Sequence, residues 1–229
     1  MGTPTGKRTV IFDLDGTLLD SSTAYFRAER SALREHCGIT LTREEHDGCI
    51  GYSLAEMLER IVTERRPGVP VGPVLHAVQQ HYLDELRREC RPFPGMRELV
   101  RCLHAAGHPL AVASGSPRKV IGTVLELLEL TREFTCFVSS EEVAAGKPEP
   151  DVFRETARRM SARECVVVED SWIGAEAARR AGIPCFLLRD VPDPATGQTP
   201  ERPPPQGVTV VRRQGAEITG VLLDLVENL

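Results

Sequence analysis

The densest chemistry in the chain is the run Asp13-Leu14-Asp15-Gly16-Thr17, two acids one residue apart followed by a glycine and a threonine. The residues before it, 9–12, have the β-branched and aromatic content of a short buried strand. Such a strand delivers Asp13 and Asp15 to its carboxyl end, the edge where open α/β sheets bind their ligands. Side chains alternate along extended backbone, so the two acids face the same way, about 6.5 Å apart. Carboxylates that close repel each other unless a cation or a shared proton compensates. Metal-assisted chemistry is one reading; a solvated pair of acids in a loop is the other.

Three later segments bear on that choice. Ala111-Val112-Ala113-Ser114-Gly115-Ser116 and Val166-Val167-Val168-Glu169-Asp170-Ser171 are short apolar runs that end in polar residues, as the first segment does. Between them Lys147 stands in a turn bounded by glycine and proline, Gly146-Lys147-Pro148-Glu149-Pro150-Asp151. Singly, Ser114 reads as a strand-end serine and Lys147 as a solvated turn residue. Four polar clusters at one sheet edge make a site. In this order they resemble the four motifs of the haloacid dehalogenase superfamily of phosphohydrolases, in the branch that includes β-phosphoglucomutase and phosphoglycolate phosphatase. The resemblance is close over residues 9–20 and 93–188 and looser between them.

That resemblance implies phosphoryl transfer through an aspartyl-phosphate. Asp13 would attack phosphorus, and Asp15 would protonate the leaving alkoxide and later take a proton from water. Ser114, with the backbone of Gly115, would bind phosphoryl oxygens, and Lys147 would pair with both the phosphoryl group and Asp13. Mg2+ is the implied cofactor, a hard ion that takes oxygen ligands. Its expected ligands are Asp13, the main-chain carbonyl of Asp15, and Asp170, with Glu169 beside it. Neighbours on a strand point to opposite faces, so Glu169 is expected to reach the site through water or to belong to the substrate. Ser116 is explained fully as the cap of the next helix, with Pro117 at its first position. Trp172 reads as packing.

The second acid separates chemistries within the superfamily. Dehalogenating members lack it, so Asp15 argues for phosphate esters. Phosphonate-cleaving members use a lysine of the inserted domain, and residues 21–91 contain none. The rival reading is a phosphosugar mutase of the β-phosphoglucomutase type. Against it, Tyr25, Ile50 and Leu54 stand where that class has a histidine and two cations. A non-catalytic binding or regulatory module is the third reading; Asp13→Asn would separate it from an enzyme. The substrate expected is a small phosphorylated metabolite: a sugar phosphate, a sugar-acid phosphate or phosphoglycolate. Tyr52 and Ser53, in the 48–53 loop, resemble the substrate-specificity loop, although a plain helix-joining turn explains them equally.

The positioning elements follow from pattern. After residue 92, helices and strands alternate: helices at 95–106, 117–130, 150–160 and 173–181, and strands at 110–113, 136–138, 165–168 and 183–188. Alternation of that kind predicts an α/β fold, a Rossmann-like parallel sheet with helices on both faces. Residues 24–37, 53–66 and 74–90 read as helices, with Ser53 and Glu56 as a capping box. The expected domains are therefore a core of 1–21 and 92–229 and an inserted α-helical cap of 22–91. Residues 190–207 are proline-rich and read as a loop, followed by a strand at 208–211 and a helix at 216–225.

Composition narrows the partners. The chain has 229 residues, 41% of them hydrophobic, and a net charge of −5, so it can bury a core and offers no global field for nucleic acid. Seven cysteines, an odd number without a C-x-x-C pair, fit a reduced protein better than a disulfide framework or zinc site. No signal core or membrane-length apolar run is present in the sequence. The expectation is a cytoplasmic monomer without membrane or nucleic-acid partners.

Overall fold

The computed structural model describes residues 7–49, 54–190, 203–213 and 217–229. The chain forms two compact units, one of Met1–Asp20 with Pro92–Leu229 and one of Ser21–Arg91.

The first unit is built on a parallel six-stranded sheet. Its strands are β1 (Thr9–Phe12), β2 (Leu110–Ser114), β3 (Phe134–Ser139), β4 (Cys165–Glu169), β5 (Cys185–Asp190) and β6 (Val208–Arg213), in the spatial order β3-β2-β1-β4-β5-β6. Helices α5 (Met96–Ala105), α6 (Arg118–Leu127), α7 (Asp151–Arg159), α8 (Trp172–Ala181) and α9 (Ile218–Glu227) accompany it. Central strands covered on both faces need apolar side chains throughout, and Val10 to Phe12 and Val166 to Val168 are fully buried. Strand order reverses between β1 and β4, the topological switch point where such sheets open a crevice.

Register then levels the site. Phe12 is paired with Val112 on one side and Val168 on the other. One residue further on, Asp13, Ala113 and Glu169 therefore stand abreast at the carboxyl edge of three neighbouring strands. The Asp13 N–H still donates to the Val168 carbonyl at 2.9 Å, which ties the first acid to the sheet.

The second unit comprises α1 (Ser22–Cys37), α2 (Arg43–Asp47), α3 (Leu54–Arg65) and α4 (Val71–Arg88). Helix α1 ends at Gly38, whose φ of 66° is the left-handed conformation that closes a helix at little steric cost. Helix α2 was not evident from periodicity because it is a single turn; Thr42 and Glu45 close a reciprocal capping box around it. Ser53, expected to cap α3, lies outside the described residues. Among the described residues no helix is long and apolar enough to cross a membrane. The seven cysteines are unpaired, and burial pushes the Cys165 thiol up to about 11, away from thiolate reactivity.

Candidate active site

The Lys147 ammonium joins the three level strands. Its Nζ donates to Asp13 Oδ1 at 2.6 Å, to Glu169 Oε1 at 2.7 Å and to the Ala113 carbonyl at 3.2 Å. Lysine has three N–H donors, and each finds an acceptor on a different strand. The group also lies 4.9 Å from the centre of the Phe153 ring. Burial alone would lower the lysine's pKa, but the charges of Asp13 and Glu169 outweigh it and hold the ammonium above the ordinary lysine range.

Glu169 is only 1% exposed. The sequence expectation is corrected here: the side chain touches Lys147 directly. Its second oxygen accepts from the Asp170 N–H at 2.8 Å, the Ser171 N–H at 2.8 Å and the Ser171 hydroxyl at 2.9 Å. Ser171 in turn accepts from the Gly174 N–H at the start of α8. A helix start so bound holds the carboxylate in one orientation. Gly174 is required there, because a Cβ would stand 1.7 Å from Glu169 Oε1.

Asp13, Glu169 and Asp170 bring carboxylate oxygens within 4.8 Å of one another. Lys147 pairs with two of these three acids. Burial drives Asp13 well above the carboxylate range despite Lys147, with Glu169 and Asp170 adding repulsion. Burial and then the Glu169 charge push Asp170 up to about 7, opposed by Arg213, Lys147 and the Thr17 hydroxyl. Excess negative charge of this kind is what a divalent cation relieves, and an all-oxygen donor set suits Mg2+. The residues present therefore fit that ion.

The turn after β1 is pressed against Asp170. Thr17 Oγ1 donates to Asp170 Oδ1 at 3.2 Å, and a Cβ on Gly16 would lie 2.1 Å from Asp170 Oδ2. With φ at +86° as well, position 16 admits only glycine without strain.

Asp15 faces a different partner. Ser116 Oγ donates to Asp15 Oδ2 at 2.5 Å. Ser116 does not cap α6, whose first flanking residue is Pro117 with no side-chain cap. The helix starts one residue later than the sequence suggested, and the Ser116 hydroxyl bonds Asp15 instead of a helix N–H. Ser116 is held from both sides, its N–H donating to Ser114 Oγ at 3.0 Å and its carbonyl accepting from Ser139 Oγ at 2.7 Å. Ser-x-Ser at a strand end was visible in the sequence. Its partner lies 101 residues away, and no local pattern reports that. Gly115 stands between the two serines at the end of β2. Tyr25, within the helical unit, stacks on Tyr82 with ring centres 3.8 Å apart. Tyr52 and Ser53 lie outside the described residues.

A doubly wound parallel sheet with a lysine-bridged acidic cluster at its switch point defines a class of hydrolase-like α/β proteins. Residues 10–188 match the family described as haloacid dehalogenase-like hydrolase, and the chain belongs to that family. A probable pseudouridine-5'-phosphatase of Drosophila melanogaster is 34% identical over 197 residues, covering 82% of this chain and 83% of that relative. A plasmid-borne phosphoglycolate phosphatase of Cupriavidus necator is 29% identical over 184 residues, covering 79% of this chain and 80% of its own. Among solved structures, one described as a putative beta-phosphoglucomutase from Thermotoga maritima superposes with a TM-score of 0.72 at 24% identity, over 95% of this chain and 99% of that one. At that identity the likeness concerns the fold.

Proposed function

We propose that the protein is a Mg2+-dependent phosphatase that hydrolyses a small phosphorylated metabolite through an aspartyl-phosphate on Asp13. The observation that carries this reading is the lysine-bridged Asp13–Glu169 pair beside Asp170 in a chain of hydrolase family membership. Relatives named as phosphatases of phosphoglycolate and of a nucleoside phosphate support small anionic esters as the substrate class. Sugar phosphates and sugar-acid phosphates belong to the same class.

Lys147 holds Asp13 Oδ1, which fixes the carboxylate's rotamer and leaves its other oxygen to attack phosphorus. As the P–O bond of the ester breaks, Asp15 gives its proton to the departing alkoxide. In the second half, Asp15 takes a proton from water, the water oxygen bonds to phosphorus, and the Asp13 acyl-phosphate bond breaks to release phosphate. Ser114 Oγ already accepts the Ser116 N–H, so its own hydrogen is available to a phosphoryl oxygen. Asp13, Asp170 and the Asp15 carbonyl would hold Mg2+, which supplies charge neutralisation to the phosphoryl group. Glu169 lies in the same cluster, but its oxygens already accept four hydrogen bonds, so its assigned part is to fix Lys147.

Phosphate release from a panel of hexose phosphates, pentose phosphates, phosphogluconate and phosphoglycolate, with and without Mg2+, tests the reading. Metal-dependent release that is lost in Asp13→Asn is expected. Conversion of glucose 1-phosphate to glucose 6-phosphate without release would assign a mutase instead. No turnover, with a partner still bound by Asp13→Asn, would assign a binding module.

A further inference from the structure

The strongest unassigned feature lies at the end of the last strand, outside the segment that matches the family. Arg213 ends β6, and its side chain is 7% exposed. Its Nη1 donates to the Gly16 carbonyl at 2.8 Å, 197 residues away in sequence. Its Nε lies 3.1 Å from Asp190 Oδ1, and its guanidinium stacks 3.8 Å from the centre of the Phe93 ring. On the neighbouring strand, Arg189 Nη1 donates to the Asp170 carbonyl at 3.1 Å. Two arginines from β5 and β6 thus hold the backbone of the two segments that meet at Gly16 and Asp170.

That meeting leaves little freedom. Gly16 and the Asp170 carboxylate are too close to admit a methyl group between them, and Thr17 bonds the same carboxylate. The Asp13 N–H to Val168 O bond ties the start of this segment to β4, and beyond it the backbone is fixed by its own short bonds, including Gly16 N–H to Leu19 O and Leu18 N–H to Leu14 O. The bonds within the turn set its shape without setting the distance of its Gly16 end from Asp170. A planar guanidinium can bond, pair and stack at once, and it fixes a carbonyl more firmly than a flexible ammonium does.

We propose that Arg213, assisted by Arg189, is a positioning residue that holds the Asp13–Thr17 turn in register with Asp170 so that the two segments together bind a divalent cation. The proposal rests on the reading of Asp13 and Asp170 as cation ligands. Residues that orient metal ligands from behind typically affect affinity by about 10- to 100-fold.

The test is Mg2+ binding by calorimetry to the full chain, alongside Mg2+ dependence of turnover. Arg213→Met keeps the bulk that lies on Phe93 and removes the donors and the charge. It is expected to weaken Mg2+ binding about tenfold or more, with substrate KM at saturating Mg2+ unchanged. Arg213→Lys restores charge without the fork and is expected to fall between the two. Arg212→Met, one residue earlier on the exposed side of β6, should bind Mg2+ as wild type does. Wild-type affinity in a folded Arg213→Met would overturn the proposal and leave the reaction reading standing. If Arg213→Met does not fold, wild-type affinity in Arg213→Lys overturns it equally. A wild-type protein that binds no Mg2+ would refute the site reading itself and the proposal with it.

Discussion

Two sets of ion pairs in the α/β unit use the same chemistry to different ends. Lys147, Asp13 and Glu169 meet at 2.6 and 2.7 Å across strands, with side chains 10%, 9% and 1% exposed. On α7 and α8, Glu155 pairs with Arg158 and Arg159, and Glu176 with Arg179 and Arg180, also at 2.7 to 2.8 Å. The outer pairs are three or four residues apart and face water, so each helix makes its own. The inner pairs exist only once β1, β4 and the Lys147 turn have been brought together by the sheet. Distance does not separate the two sets. What separates them is desolvation, which makes an unpaired inner charge costly and an unpaired outer one nearly neutral.

Removing the shared cation should have the largest effect. Lys147→Met leaves Asp13 and Glu169 buried without compensation, and urea unfolding is expected to show a loss of about 3 kcal/mol. Turnover should fall by about a thousandfold or more. Combining it with Glu169→Gln should recover part of the stability and none of the activity; simple additivity would break the comparison.

Steric probes come next. Gly174→Ala puts a methyl group into Glu169, so a stability loss of about 2 kcal/mol and impaired turnover are expected. Gly220→Ala in α9 meets nothing within 4 Å and should be neutral or stabilise the fold by up to about 1 kcal/mol. Equal effects at the two glycines would show that the Glu169 pocket is not rigid.

Glu142, in the 3-10 turn Ser140–Glu142 after β3, joins the outer set through Arg159 and pairs with Arg118 as well. Partial burial would raise its pKa, but the Ser139 N–H, Arg159 and Arg118 together hold it down to about 2. A depressed folded-state value means that Glu142 stabilises the fold above its ordinary value of 4.5 and loses that contribution as pH falls from about 4.5 to about 2. The melting temperature should fall more steeply with falling pH across that window for the wild type than for Glu142→Gln. The smallest effect belongs to Glu155→Gln or Glu176→Gln, which should leave the melting temperature unchanged at physiological salt.

What was legible in the sequence follows the same division between local and long-range. The run before Asp13 is apolar on both faces, and the alternation after residue 92 could be read as a parallel sheet from pattern alone. Lys147 was legible as one of four polar clusters that together read as a site. Glu169 and Ser116 were misread for one reason. Alternation along a strand and capping rules describe neighbours, whereas their partners, Lys147 and Asp15, are 22 and 101 residues away. Arg213 gave no signal at all, being one arginine of an Arg-Arg pair in a late strand. Its meaning depends on β6 lying beside β5, a pairing that only the folded sheet displays.

The central claim is that Asp13 carries the phosphoryl group. Brief reaction with p-nitrophenyl phosphate and Mg2+, acid quench and peptide mass spectrometry would test it most directly. The account predicts one added phosphoryl group on the peptide containing Asp13 in the wild type and none in Asp13→Asn. Turnover by the wild type with no phosphorylated peptide at any quench time, together with undiminished turnover by Asp13→Asn, would contradict it.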